Sequence, residues 1–140
     1  MLVVLDTNHF QELRQDSPAG KRLESRLQSR DAGAFSCIVA AEESVSGWIS
    51  YVRRHRAGLD QLQGYERLQA CFDALTKLGI LPFDREAALI FHGFERSRLR
   101  VGAMDLKIAA ICIAHDALLL SRNLVDIENA PGLRVENWLD

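Results

Sequence analysis

The sequence predicts an α/β domain of three layers, with helices on both faces of a parallel sheet of four to five short strands. Three observations predict it. Short apolar runs alternate along the chain with longer segments of helical periodicity, the pattern of parallel strands joined by helices. The runs Leu2–Leu5 and Ala117–Leu120 are continuous rather than alternating, as buried strands are. The 140 residues fit one domain, 1–140, and contain no repeat, linker or low-complexity stretch. Crossovers between parallel strands are expected to be right-handed.

The elements follow in order. Leu2–Leu5 is the first strand, and Thr7 or Asn8 is placed to cap a helix after it. Ser17-Pro18 starts another helix, with Ser at the cap and Pro in the first turn, through Ser29. Ala34–Ile38 is the second strand. A helix over about 40–55 carries Val45, Trp48, Ile49 and Val52 as an apolar stripe, and Gly58 breaks it. The next helix, about 59–78, carries Leu62, Tyr65, Leu68, Phe72 and Leu75 on one face, and Gly79 ends it. Ile80–Phe83 is a third strand whose Pro82 suits a sheet edge. Asp84 caps a helix to about Ser97. The helix over Met104–His115 is apolar on most sides, which marks a central one. Ala117–Leu120, a polar connection or short helix over 121–128, and a last strand at Leu133–Val135 complete the chain.

Composition narrows the function. Net charge is −2, which argues against broad, non-specific nucleic-acid binding. Two basic clusters stand out, Arg53, Arg54 and Arg56 with His55, and Arg96, Arg98 and Arg100. Either is a solvated helix surface or a guide for a polyanion. Three widely spaced cysteines, Cys37, Cys71 and Cys112, form no CxxC pair, so neither zinc nor a disulfide framework is indicated. With no signal peptide and no membrane-length apolar run, a cytoplasmic protein is expected.

The acids carry the chemistry. Asp6 follows the first strand, Glu43 lies early in the helix after the second, Asp105 begins the buried helix, and Asn123 and Asp126 follow the fourth strand. In a doubly wound sheet these positions reach one rim, at the carboxyl ends of the strands. An oxygen-only cluster suits Mg²⁺ or Mn²⁺ rather than Zn²⁺. Taken singly, each acid has a plainer reading as a helix cap, a first-turn acid, a surface acid or a turn residue. Glu42 rivals Glu43.

At these residues the chain resembles the PIN domain family, in particular the VapC-type toxins of bacterial toxin–antitoxin pairs. Val4-Leu5-Asp6-Thr7-Asn8 resembles the family's opening, and Glu43 with Gly47 its E-x-x-x-G element. Val101–Ala110, Leu119–Ile127 and Pro131–Trp138 resemble its later blocks, so the likeness spans the chain. It departs at His9, where the family usually has an apolar residue, and at Asn123, an amide where a fourth acid is usual.

The resemblance implies a PIN-like sheet of strand order 3-2-1-4-5 and a metal-dependent endoribonuclease. Asp6, Glu43 and Asp105 become the metal-binding and catalytic acids, with Asp126 or Asn123 in the fourth position. Thr7 and Asn8 become supports for Asp6. Metal-activated water then attacks the phosphodiester in line, leaving a 5′-phosphate and a 3′-hydroxyl. The implied partners are an RNA substrate, a cognate antitoxin and a second copy in a homodimer. The apolar stripe of Val45, Trp48, Ile49 and Val52 with Leu59, Leu62 and Tyr65 is a candidate clasp for a partner helix. Two other readings stay open: a nuclease of the same fold acting on DNA or structured RNA outside a toxin pair, and a degenerate module that binds without cleaving.

Overall fold

A computed structural model describes residues 1–140. The chain runs β1 (Leu2–Leu5), α1 (Thr7–Gln15), α2 (Pro18–Ser29), β2 (Gly33–Cys37), α3 (Ile38–Arg53), a 3₁₀ turn (Leu59–Gln61), α4 (Leu62–Leu78), β3 (Ile80–Leu81), α5 (Arg85–Arg96), α6 (Ala103–Ala114), β4 (Leu118–Leu120), α7 (Leu124–Ile127) and β5 (Val135–Glu136). The sheet has five strands in the order β3-β2-β1-β4-β5, in agreement with the sequence expectation. All its pairings are parallel. β1 is central, with Val3 opposite Ala34 of β2 on one side and Leu118 of β4 on the other.

Side-chain alternation along β1 and β4 divides the core. Val3, Leu5, Leu118 and Leu120 pack with Phe10, Leu23, Cys71 and Leu75 from α1, α2 and α4. Val4 and Leu119 face the other way, onto Ala87 and Phe94 of α5 and the apolar run of α6. A strand buried on both faces has no polar side to alternate with, which is why LVVL and LLL read as continuous runs. α6 buries Leu106, Ile108, Ala109, Ala110, Ile111 and Cys112. All three cysteines are buried free thiols. No helix is long and apolar enough to cross a membrane.

Two sequence expectations need correction. The cap of α1 is neither Thr7 nor Asn8 but Asp6, whose Oδ1 accepts the His9 N–H at 2.8 Å. The buried face of α4 is also rotated from the expected stripe. Gly64, Cys71 and Leu75 are buried, whereas Leu62, Tyr65 and Phe72 are exposed. The cause is close helix contact: a Cβ on Gly64 would lie 2.8 Å from Val52 Cγ2 of α3. Small residues let α3 and α4 approach, and the larger apolar side chains are left at the edge of the seam.

Candidate active site

β1 is the point at which the chain changes direction in the sheet, since β2 and β3 lie on one side of it and β4 and β5 on the other. The crevice beyond the carboxyl ends of β1 and β4 is where such sheets receive ligands. β1 hands over to Asp6 there. The Asp6 N–H donates to Leu120 O at 3.0 Å, which carries the β1–β4 pairing one residue past the strand. The loop after β4 then folds back, and the Arg122 N–H reaches Asp6 Oδ2 at 3.4 Å.

A cavity of about 180 Å³ opens at this junction. Asp6, Thr7, Asn8, Glu43, Asp105 and Asn123 all line it, together with Ser121 and an apolar floor of Ile108, Leu119 and Ile127. Glu42 instead lines a different groove, so the helical register favours Glu43. Thr7 Oγ1 donates to Glu43 Oε1 at 2.9 Å, tying α1 to α3 across the crevice. Asp126 does not line the cavity and is exposed on α7, but it lies near enough to Asp105 to oppose its ionisation. Asn123 occupies the start of α7 without capping it, which leaves its amide free.

The electrostatics separate the two aspartates. Burial raises the Asp6 carboxyl, but hydrogen bonds from the His9 ring and backbone, with Ser121, outweigh it and hold the group below its ordinary value. Asp105 is pushed the other way, by burial first and then by Glu43, Asp126 and Asp6. No protein hydrogen bond offsets these effects at Asp105. The acids are not drawn into a closed cage: no three His, Cys, Asp or Glu groups stand together as a ready ion site. A partly buried carboxylate with three acids acting on it and no donor fits a hard divalent cation, and the all-oxygen donor set fits Mg²⁺ or Mn²⁺.

The basic clusters read from the sequence do not line the cavity. Arg53 lies ten residues beyond Glu43 on α3, roughly 15 Å along the helix axis. Arg98 and Arg100 are exposed on the connection into α6, just ahead of Asp105. A basic surface missed in the sequence adjoins the loop that touches Asp6. Arg122 leaves the crevice to pair with Asp140 at 3.5 Å, and Asp140 borders a concave surface formed by Lys21, Arg22 and Arg26. Nothing in the local sequence of α2 ties those residues to Asp6. A concavity of about 590 Å³ is an apolar groove between α3, α4 and β3 lined by Ile38, Val45, Phe72 and Ile80.

A doubly wound sheet with Asp6, Glu43 and Asp105 lining one cavity at its switch point defines an α/β domain built around an acidic crevice. Residues 3–130 match the PIN domain family model, and the chain belongs to that family. Ribonuclease VapC2 of Rickettsia felis is 28% identical over 117 residues, covering 80% of this chain and 78% of that protein. Among solved structures, VapBC2 from Rickettsia felis bound to a promoter DNA fragment superposes with a TM-score of 0.73 at 20% identity, covering 99% of each chain. VapBC-1 from nontypeable Haemophilus influenzae gives 0.74 at 16% identity, covering both chains fully at 100%. At such identities the two structures are likenesses of fold.

Proposed function

We propose that this chain is a metal-dependent endoribonuclease, the toxin of a toxin–antitoxin pair. One observation carries the reading: Asp105, partly buried and without a donor, shares the switch-point crevice with Asp6 and Glu43. The similarity to Ribonuclease VapC2 supports RNA as the substrate class. Asp6, Asp105 and Glu43 are the residues to hold Mg²⁺ or Mn²⁺. When bound there, the cation supplies positive charge to the scissile phosphate and acidifies water. The chain's own groups do the rest. Glu43, oriented by Thr7, is placed to accept the proton of the attacking water. Asn123 offers a neutral amide to a phosphate oxygen, and Asn8 completes the polar wall. The apolar floor excludes water from beneath the reacting groups. Asp126, outside the cavity, adds negative potential rather than a ligand.

Incubation of the chain and of Asp6→Asn with mixed RNA and DNA, in Mg²⁺ and in EDTA, tests this. RNA cleavage in Mg²⁺ alone, lost in EDTA and in the variant, is expected. Cleavage that persists in both overturns the metal reading. Binding without cleavage of any substrate favours the degenerate module, for which Asn123 in the fourth position is the specific pointer.

The RNA backbone is proposed to leave the crevice over Arg122 and Lys21 on one side and Arg98 and Arg100 on the other. Charge removal at these four should lower the salt slope of binding by roughly 0.7 for each phosphate that is no longer neutralised. Arg53, Arg54 and Arg56, at and beyond the far end of α3, should contribute less, as should Arg96 at the end of α5. Equal slopes for all variants would overturn the path.

The apolar groove at α3, α4 and β3 is the proposed seat of an antitoxin helix, in keeping with the toxin–antitoxin complexes among the structures of similar fold. It replaces the tip residues Leu59, Leu62 and Tyr65 as the preferred clasp. A homodimer is the proposed assembly, in the cytoplasm. Light scattering that finds one chain's mass, alone and with antitoxin, would refute both contacts.

A further inference from the structure

His9 is fully buried, and both its ring nitrogens are engaged. Nε2 faces the main-chain N–H of Trp138 at 3.2 Å. A peptide N–H only donates, so Nε2 must present its lone pair. The ring proton then sits on Nδ1, which donates to Asp6 Oδ1 at 2.8 Å. The tautomer is therefore set from both ends, by the Trp138 N–H at Nε2 and by the accepting Asp6 carboxylate at Nδ1.

That segment is firmly held. Trp138 is 1% exposed, and the guanidinium groups of Arg26 and Arg30 lie 5.3 and 5.4 Å from its ring centroid. Arg22 Nη2 donates to Leu139 O at 3.1 Å, and the Ser121 N–H donates to Glu136 O at 3.0 Å. At the other end of the relay, Asp6 Oδ1 accepts two donors, the His9 backbone and the His9 ring. Oδ2 receives the long contact from the Arg122 N–H, and the Ser121 hydroxyl also bears on the carboxylate. One carboxylate oxygen is saturated by His9, and the other keeps room for ligation.

We propose that His9 is a positioning residue for divalent-cation binding, a ring held in its Nδ1–H tautomer by the Trp138 main chain that fixes Asp6 with Oδ2 as the liganding oxygen. The proposal rests on the reading of Asp6 as a cation ligand. Groups hydrogen-bonded to a metal ligand in this way typically set affinity by about 10- to 100-fold. His9 thereby couples the C-terminal segment to the crevice.

Two measurements test it. In the metal-free wild-type chain, long-range ¹H–¹⁵N correlation spectra should show His9 protonated at Nδ1 and bare at Nε2; a proton on Nε2 overturns the proposal. Mn²⁺ titration of His9→Leu should then show affinity weakened by about 10-fold or more. His9→Asn, whose amide keeps a donor near the Nδ1 position, should stay much closer to wild type. Wild-type affinity in a folded His9→Leu, or equal losses in both variants, overturns it. Asp6→Asn separates the two readings: if that variant binds Mn²⁺ as wild type does, Asp6 is not a ligand, whatever His9 does. The spectrum of the wild-type chain decides the tautomer even where a variant fails to fold.

Discussion

Asp105→Asn is expected to make the metal-free protein more stable while lowering RNA cleavage by roughly 100- to 1,000-fold, because it removes a proposed ligand of the cation that stabilises transition-state charge. The stability gain follows from the environment. Burial and three neighbouring acids raise the Asp105 carboxyl, and no protein donor stabilises its charged form. An amide of nearly the same shape removes the repulsion and forfeits no hydrogen bond. Because Asp105 is only partly buried, solvent screens the effect, and a rise in Tm of about 1–3 °C is the expected size. The sign depends on pH. A carboxyl raised on folding weakens the folded state increasingly as pH climbs from its unfolded value, about 4, through its folded one. The advantage of Asp105→Asn should therefore grow from pH 4 to 7 and vanish in acid, where the wild-type group is already neutral. Asp6 behaves oppositely: its stabilising share is complete above the ordinary carboxyl value and is lost as pH falls through its lowered one. Saturating Mn²⁺ should reverse the order of the melting temperatures, since ligand binding stabilises only the chain that binds it. Thermal melts of both chains at several pH values, with and without Mn²⁺, check this. A metal-free variant less stable than wild type at pH 7 would refute the account of the crevice as a repulsive cluster.

The crevice is legible in the sequence to the degree that strand ends are legible. LVVL and LLL are buried on both faces, so their apolar runs stop where the sheet stops. That termination alone places Asp6 and Asn123 on one rim. The direction of α6, which must run back along the sheet to reach β4, places Asp105 with them. Partnerships across the chain are not legible. His9 meets Trp138 over a separation of 129 residues, and nothing local to either residue announces it. Capping by Asp6 rather than Thr7 or Asn8 turns on one backbone conformation, φ −72° and ψ 176° at Asp6, which each of the three residue types can adopt. The face of α4 is obscured for a different reason. Counting large apolar residues favours Leu62, Tyr65 and Phe72, whereas the contact is made where Gly64 and Cys71 let two helices close up. Its place after the fourth strand puts Asp126 at the same rim, where it acts on Asp105 from an exposed position on α7.

Gly20→Ala is expected to destabilise the fold strongly, against the helix propensity of the two residues. Gly20 lies in the first turn of α2, and in an open helix Ala is better than Gly by about 1 kcal/mol. Here a Cβ would overlap the backbone oxygen of Glu12 and stand 2.8 Å from its carbonyl carbon. Backbone cannot swing aside as a side chain does, so α1 and α2 must separate. Overpacking of this kind costs about 1–3 kcal/mol and occasionally more. Because backbone is displaced, a net loss of about 2–3 kcal/mol after the propensity gain is expected, and a fall in Tm of roughly 6–10 °C. Gly93→Ala supplies the opposite sign in the same protein. Gly93 lies within α5, and a Cβ there meets nothing within 4 Å, so a gain of up to about 1 kcal/mol is expected. Urea denaturation of the two variants tests the pair. A Gly20→Ala chain as stable as Gly93→Ala would show that α1 and α2 do not approach so closely. The outcome bears on the crevice as well as the fold, because α1 carries both Thr7, which orients Glu43, and His9, which holds Asp6. A shift of α1 away from α2 moves both supports together, so Gly20→Ala should also weaken Mn²⁺ binding, whereas Gly93→Ala should leave it unchanged.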